Sequence, residues 1–176
     1  LVGNGGPALW SAMHPQDFAS ADPIDDYSVR TLERWLNTQA PDCDHAILYP
    51  GARPIDLQLL GELAGWHFAS PFMVGINARW GSWFGYRAAM VTTTDFALSP
   101  REVGEAPCDT CARRRWIDAC PAGALVGANY DLLKCVTYRK TGDSRCRETC
   151  LARLACPVGR EHRYSDAQIS HHYTAS

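Results

Sequence analysis

The sequence lacks any apolar run close to the roughly 20 residues that a helix needs to cross a bilayer. It also lacks an excess of charge, because 17 Lys and Arg stand against 19 Asp and Glu and give a net charge of −2. A balance of this kind offers no general attraction to nucleic acid or to anionic lipid. No charged segment followed by an apolar leader opens the chain. We therefore expect a soluble, cytoplasmic protein that binds neither nucleic acid nor a membrane.

Regular alternation of strands and helices is missing as well, which favours the α+β class over a series of βαβ units. The glycine turn that begins at Gly3 has Ala8 where a dinucleotide-binding fingerprint needs its third glycine. Apolar periodicity and capping residues predict helices and strands elsewhere along the chain. The predicted helices cover 23–40, 54–65 and a short segment after Ser165, and the predicted strands cover 45–49, 72–76 and 86–93.

A chain of 176 residues is long enough to bury one sizeable core with an appended module. Residues 1–100 hold five basic and ten acidic side chains, whereas 101–176 hold twelve and nine, so the second part is basic. This asymmetry can offset negative charge at a metal centre or attract an acidic electron donor. We expect three segments: a core at 1–100, a cysteine-rich module at 101–160, and a C-terminal helix or tail at 161–176 that packs on the core.

Seven of the eight cysteines fall between 108 and 156, and two of them, Cys120 and Cys156, are followed directly by proline. A Cys-Pro step that closes a cysteine-rich loop is typical of ferredoxin-type iron–sulfur modules, in which that cysteine ligates the cluster of the other loop. The two half-motifs read C-D-T-C then A-C-P, and K-C, C-R-E-T-C then A-C-P. The pattern therefore predicts an iron–sulfur protein. Cys43 lies outside it and is interpreted as an ordinary buried thiol.

The cysteines admit two other interpretations, disulfides and a structural zinc site. Disulfides are typical of short secreted chains, and this sequence shows no secretory context. A structural zinc site commonly uses two closely spaced cysteine pairs. Cys108 and Cys111 form one such pair, but the second half has C-x3-C spacing and zinc leaves the Cys-Pro steps unexplained. Iron–sulfur ligation accounts for more of the pattern than either alternative.

Crossed ligation, as in two-cluster ferredoxins, divides the seven cysteines into two sets. The complete set has four members: Cys120, Cys135, Cys146 and Cys150. The incomplete set has three: Cys108, Cys111 and Cys156. Trp116 stands four residues before Cys120, where the missing ligand belongs. We expect one [4Fe–4S] cluster at the complete set, whereas the incomplete set holds a three-iron cluster, recruits Asp109, Asp118 or water, or stays empty.

The run N-A-R-W-G-S-W-F at 77–84, followed by C-D-T-C, I-D-A-C-P and K-C-V-T-Y, resembles epoxyqueuosine reductase and the related reductive dehalogenases. These enzymes join a cobalamin-binding core to a two-cluster ferredoxin module. The core is also similar to the cblC-type cobalamin-processing protein. That second likeness rests on D-P-I-D at 22–25, R-P at 53–54, R-W-G-S-W-F-G-Y-R at 79–87 and R-Y-S-D-A-Q at 163–168.

The resemblance implies a nitroreductase-like mixed sheet with flanking helices that holds a corrinoid base-off. It implies that cofactor contacts come from seven residues: Asn77, Trp80, Gly81, Ser82, Trp83, Phe84 and Arg87. The aromatic rings offer rigid apolar area to a flat macrocycle, although they can equally fill a core between two strands. The cblC-type His-Pro is replaced by Asn77-Ala78. No counterpart of the tRNA-binding helical repeats is present, and we expect no tRNA substrate.

Three functions are compatible with these patterns. The first is an iron–sulfur redox protein that supplies electrons to a corrinoid in the core, as a cobalamin-dependent or cobalamin-processing oxidoreductase with a redox partner protein. The second is a simple electron-transfer ferredoxin without another cofactor. The third is a structural zinc clip on a partner-binding domain. The first explains the aromatic segment and the cysteines together.

Overall fold

The computed structural model describes residues 1–101, 104–127 and 129–174, and these fall into two compact units. Unit 1 comprises Leu1–Trp66 and Phe84–Arg101, and unit 2 comprises His67–Trp83 and Glu102–Ser176. The cut after Arg101 lies next to the boundary expected at residue 100. Segment 67–83 and the C-terminal helix, in contrast, group with the cysteine-rich part rather than with the expected core.

Unit 1 is built on a three-stranded antiparallel sheet in the order β1-β3-β2. The strands are β1 (Val2–Gly5), β2 (His45–Tyr49) and β3 (Phe84–Thr92). The predicted sheet was mixed, but the long central strand β3 runs opposite to both of its neighbours. The predicted positions of β2 and β3 are confirmed to within two residues.

Four helical segments accompany this sheet in unit 1. The longest, α2, begins directly after Asp22, and its first residue is a proline, which costs no hydrogen bond at the first position of a helix. On α2, Leu32 and Leu36 are buried against Ala88 of β3, with Val2 and Met90 at the edge of this cluster. The segments are α1 (Ala8–Ala12), a 3-10 helix (Pro15–Ala19), α2 (Pro23–Gln39) and α3 (Leu57–Leu63).

Unit 2 contains short elements joined by cysteine-bearing loops. The strands are β4 (Leu125–Val126) and β5 (Asn129–Tyr130), which pair antiparallel. The helices are α4 (Arg115–Asp118), α5 (Leu132–Arg139), α6 (Leu151–Ala155), a 3-10 helix (Arg160–His162) and α7 (Asp166–Thr174). Helix α7 confirms the predicted terminal helix, and the Ser165 hydroxyl accepts a hydrogen bond from the Gln168 N–H at 3.2 Å.

The strand predicted over 72–76 is not formed. Met73 has a φ of +57°, which a strand cannot accommodate in a bulky residue. Only an isolated bridge remains, in which Ile76 and Phe68 exchange backbone hydrogen bonds of 2.8 and 2.9 Å. The segment is therefore a looped turn that leads to the aromatic run at 77–83.

The core of unit 2 is centred on Trp83, Tyr164 and Ile169, with Leu154 and Tyr173 packed against them. The Trp83 and Tyr164 rings meet edge to face, with their centroids 5.4 Å apart. Helix α7 is thereby attached to the end of segment 67–83. Within the described ranges, no helix combines the length and the apolar character needed to cross a membrane.

Candidate functional site

Four cysteines of unit 2 line a single cavity of about 100 Å³. They are the four members of the set predicted to be complete: Cys120, Cys135, Cys146 and Cys150. Helix α5 carries Cys135, and the loop from α5 to α6 carries the last two. The local fold thus brings together thiols that are up to 30 positions apart in the sequence. Ligation of a cluster by these thiols stays a prediction.

The thiols of this cavity act on one another electrostatically. Burial is the main cause that raises the pKa of the Cys146 thiol, and the neighbouring Cys120 and Cys135 add to the rise. Burial also raises the pKa of Cys150, whereas the Arg153 N–H lowers it. That N–H donates to the Cys150 sulfur at 3.4 Å, so Cys150 caps the N-terminus of α6. A metal that binds these thiols must therefore displace protons that burial retains.

Three tyrosines line this cavity, Tyr130, Tyr138 and Tyr173, and the first and last of them act on its thiols. Burial is the first cause that raises the pKa of Tyr130, and a hydrogen bond with Cys135 adds to it. Burial likewise raises the pKa of Tyr173 to about 12, with a contribution from the nearby Cys150. Hydroxyl groups beside ligand sulfurs are among the features that set the potential of an iron–sulfur centre. Tyr130 lies five positions before Cys135 in the sequence, but Tyr173 lies 17 positions after the last cysteine and no sequence pattern singles it out.

The three cysteines of the incomplete set also lie near one another. The pKa of the Cys108 thiol is raised to about 11, first by burial and then by Cys156 and Cys111. The Asp109 carboxylate adds to this rise in the pKa, whereas the Arg114 guanidinium opposes it. Burial also raises the pKa of Cys156, and the nearby Cys111 adds to that rise. The arrangement gives three close thiols with one carboxylate and one guanidinium beside them.

Helices α4 and α6 pack together between the two sets. Helix α6 lies between Cys150 of the complete set and Cys156 of the incomplete set. Helix α4 likewise lies between Cys111 of the incomplete set and Cys120 of the complete set. Each short helix therefore has one cysteine of each set near its ends, and the crossed division of the ligands stays a prediction.

Trp116 of α4 lies in the core of this helix pair. It is 3 % exposed and forms a buried cluster with Leu125 and Ala152. Its ring meets that of Phe72 edge to face at 5.6 Å between centroids. Cys111, Cys120 and Cys150 are among the residues packed against the same cluster. The indole therefore fills apolar volume between cysteines of both sets.

In the part of the chain that the structure describes, no three His, Cys, Asp or Glu side chains are arranged to hold a single metal ion. Four thiolates around one zinc stand about 4 Å apart, because each Zn–S bond is about 2.3 Å long. Thiolates that bind a multi-iron cluster each contact a different iron and stand further apart. The four thiols that line one cavity are the candidates for ligands of this second kind.

The segment predicted to touch a cofactor begins with a closed turn. The Asn77 side-chain oxygen accepts hydrogen bonds from the N–H groups of Arg79 and Trp80, both at 2.8 Å. Asn77 and Gly81 exchange backbone hydrogen bonds of 2.8 and 2.9 Å. Gly81 has a φ of +59°, and a Cβ on it would collide with the carbonyl of Val158. Close approach of two backbone segments therefore explains this glycine.

Ser82 and Trp83 are held inside unit 2 by Arg153. The Arg153 Nε donates to the Ser82 hydroxyl at 3.1 Å, and its Nη2 donates to the Ser82 carbonyl. The same guanidinium lies 4.3 Å from the centroid of the Trp83 ring, which is only 1 % exposed. The Trp83 Nε1 and both polar atoms of the buried Gln168 amide have no hydrogen-bond partner among the described residues. Buried polar atoms of this kind normally bind water or a ligand.

The remaining predicted contacts are dispersed. Trp80 is partly exposed; its ring centroid lies 4.5 Å from the Arg79 guanidinium and 4.3 Å from the His162 ring, which is tilted by 52°. Phe84 and Arg87 belong to β3 in unit 1, where the Arg87 Nε donates to the Asn4 side chain at 2.7 Å. Five of the seven predicted residues thus belong to unit 2 and two to unit 1.

Cys43 differs from its prediction, because its thiol is only partly buried and donates to the Asp44 carbonyl at 3.3 Å. It lies in the loop between α2 and β2. It lies in unit 1, whereas all seven other cysteines lie in unit 2.

Comparison with known proteins finds similarity only to solved structures: no family model matches the chain, and no curated protein does. Epoxyqueuosine reductase from Streptococcus thermophilus aligns over 93 % of this chain with 16 % identity and a TM-score of 0.52. The Bacillus subtilis enzyme aligns over 92 % with 18 % identity and a TM-score of 0.52. An epoxyqueuosine reductase bound to a modified tRNA-Tyr stem loop aligns over 94 % with 18 % identity and a TM-score of 0.53.

These matches show a shared fold. The chain spans about two-fifths of the length of the epoxyqueuosine reductases, from 41 to 42 %. At the level of the fold, the similarity supports the epoxyqueuosine reductase side of the expected resemblance. The likeness to the cblC-type protein rests on sequence pattern alone.

Proposed function

We propose that this chain is an iron–sulfur redox protein whose [4Fe–4S] centre is ligated by Cys120, Cys135, Cys146 and Cys150. The observation that carries the proposal is the single cavity that these four thiols line. A cluster bound there supplies and accepts single electrons. The residues of the chain hold the ligands in place, since Cys135 is fixed on α5 and Cys150 caps α6. Phe72 and Leu125 give the cavity apolar walls that limit access of water.

The incomplete set offers a second, weaker site at Cys108, Cys111 and Cys156. The sequence provides two carboxylates, Asp109 and Asp118, for the fourth ligand position of this site. Of the two, Asp109 is the one that raises the pKa of Cys108. Trp116 cannot replace the missing cysteine, because its indole N–H is a donor with no lone pair for iron. We propose a three-iron cluster, or a cluster completed by Asp109, at this site.

We further propose that the electrons serve a corrinoid held by the protein, as the resemblance to epoxyqueuosine reductase implies. Support comes from the shared fold and from the buried polar atoms of Trp83 and Gln168 that have no partner among the described residues. Of the aromatic residues at 77–83, Trp80 keeps exposed surface for a flat ligand. Asn77 and Ser82 already use their side-chain oxygens within unit 2, so their part is to shape the turn.

A plain electron-transfer ferredoxin is the second candidate. The burial of Trp83 and its contacts with Arg153 and Tyr164 favour it, because a ring used in packing has little surface left for a cofactor. Both candidates require the same cluster at the four-thiol cavity. They differ in whether the protein binds a corrinoid.

Spectroscopy on anaerobically purified protein separates these functions and the zinc alternative. Visible absorbance that dithionite bleaches supports an iron–sulfur protein, whereas colourless protein that contains zinc contradicts it. Titration with cob(II)alamin then tests the corrinoid: a base-off spectral shift that Trp80→Ala weakens is expected. Trp35→Ala, a substitution of the half-exposed tryptophan of unit 1, serves as the matched control. A titration with no spectral change and no thermal stabilisation leaves the plain ferredoxin.

A further inference from the structure

Four arginines of unit 2 line one pocket of about 440 Å³ beside two cysteines of the incomplete set. The arginines are Arg113, Arg114, Arg115 and Arg160, and the cysteines are Cys111 and Cys156. No Asp or Glu is found among the described residues that line it. The pocket joins two segments that are distant in the sequence, the turn before α4 and the loop after α6.

The charge of this pocket is not neutralised locally. All four arginines are exposed, and none forms an ion pair with another residue that the structure describes. Because the whole chain has a net charge of −2, the pocket is a positive region on a protein that is otherwise slightly acidic. An acidic partner would therefore be attracted to this surface and not to the molecule in general.

Arg114 shows how closely this surface is linked to the cysteines. Its backbone is left-handed, with a φ of 32°, a conformation that non-glycine residues rarely adopt. It lines the arginine pocket and also a second pocket that contains Cys108, and it lowers the pKa of Cys108. Positive charge thus extends from the exposed surface to the thiols.

We propose that this arginine pocket is the docking surface for a small acidic electron-transfer protein that reduces the iron–sulfur module. The inference rests on the proposed function, since it assigns the electron donor to that module. One electron leaves the reduced [2Fe–2S] or flavin centre of the partner, which is thereby oxidised by one electron, and the module is reduced by one electron. No bond is made or broken in this step.

The chemistry of the pocket fits a transient redox partner better than RNA. Electron-transfer complexes are weak and small, so charge complementarity can supply much of their recognition without a large apolar face. RNA recognition commonly adds aromatic side chains that stack on bases, and the described residues lining this pocket include none. The two cysteines place this surface beside thiols of the proposed iron–sulfur module, which is where an electron donor must dock.

The test measures binding of an acidic plant-type ferredoxin to the whole protein at low salt by titration calorimetry. We expect Arg113→Glu together with Arg160→Glu to weaken binding about tenfold or more, because attraction becomes repulsion at both sides of the pocket. Arg34→Glu with Arg53→Glu changes the net charge equally at exposed positions of unit 1 and is expected to leave the affinity within about twofold. Added salt should weaken binding of the wild-type protein and not that of the Arg113/Arg160 variant.

Reduction of the same samples separates this proposal from the proposed function. Dithionite should bleach the wild-type protein and both variants equally, whereas reduced ferredoxin should bleach the Arg113/Arg160 variant more slowly. Equal ferredoxin affinity in the two double variants overturns the docking surface and leaves the cluster standing. Tight binding of a tRNA stem loop that depends on Arg113 and Arg160, without ferredoxin binding, overturns it in favour of RNA. Absence of bleaching by dithionite in wild type overturns the proposed function itself.

Discussion

The guanidinium of Arg153 lies 4.3 Å from the centre of the Trp83 ring, and its Nε donates to the neighbouring Ser82 hydroxyl. Arg153 belongs to α6, the helix that links one cysteine of each set. The aromatic segment that sequence patterns assign to a cofactor is thus attached directly to the cysteine-bearing part of unit 2. Loss of these contacts is expected to affect the cysteine cavity as well as the aromatic core.

Trp83→Ala should destabilise unit 2 strongly. Removal of a buried aromatic ring commonly costs about 3–5 kcal/mol, through lost apolar contact and the cavity that remains. Denaturant unfolding monitored by circular dichroism measures the change in the free energy of unfolding. Trp35→Ala removes a ring that is 47 % exposed and should cost clearly less. Equal losses for the two variants would contradict the role of Trp83 as the centre of this core.

Gly81→Ala should lower the free energy of unfolding by more than the cost of placing an alanine in a left-handed backbone conformation. Gly81 and Gly123 have φ values of +59° and +58°, but only the first would place its Cβ against another backbone segment. Gly123→Ala therefore reports the conformational cost, about 1–2 kcal/mol. The unfolding free energy of Gly81→Ala should fall further because Val158 and Gly159 must move. Similar values for both variants would show that this contact is not close in solution.

Trp116→Cys is expected to raise the iron content of the anaerobically reconstituted protein, because it supplies the ligand missing from the Cys108, Cys111 and Cys156 set. The substitution also removes a buried indole, so the variant should unfold at lower denaturant concentration. Trp116→Phe keeps an aromatic ring and adds no ligand, which makes it the matched control. Iron per folded chain is measured by colorimetric analysis. A rise that is equal in both variants, or absent in folded Trp116→Cys, would argue against a vacant ligand position.

Asp25→Asn should stabilise the protein at neutral pH. Burial raises the pKa of the Asp25 carboxyl above 3.8, although Tyr49 and Arg87 oppose the rise. Since the pKa is higher in the folded state, the ionised carboxylate disfavours folding, and stability falls as the pH rises through the folded pKa. Thermal unfolding of the two proteins should differ at pH 7 and converge below pH 3.8. Asp42→Asn, at an exposed position, is the control, and a gap that persists at low pH would contradict this origin.

The sequence anticipates local features better than packing over long distances. Helix α2 follows from Asp22, Pro23 and its apolar face, and helix α7 follows from Ser165 and Gln168. These signals act within one or two turns of the chain, so they can be recognised without tertiary information. The strand predicted over 72–76 failed because the left-handed backbone of Met73 is a local exception that composition does not reveal.

The candidate site shows the same limit. The spacing of the cysteines and the two Cys-Pro steps predict which thiols form each set. These signals can be recognised in the sequence because each short helix places a fixed number of residues between the cysteines on either side of it. The attachment of Trp83 to Arg153, 70 residues later, has no pattern in the sequence. The contact of Tyr173 with Cys150, 23 positions earlier, is equally hidden because no local pattern connects the two residues.

The most direct test of the central claim is the iron and sulfide content of anaerobically reconstituted protein, with electron paramagnetic resonance after reduction, in wild type and Cys135→Ser. We expect wild type to hold a [4Fe–4S] cluster with a reduced-state signal. We expect Cys135→Ser to lose that signal, while Cys43→Ser in unit 1 keeps it. Wild-type protein without iron, or a Cys135→Ser variant with unchanged iron and an unchanged spectrum, would contradict ligation at the four-thiol cavity.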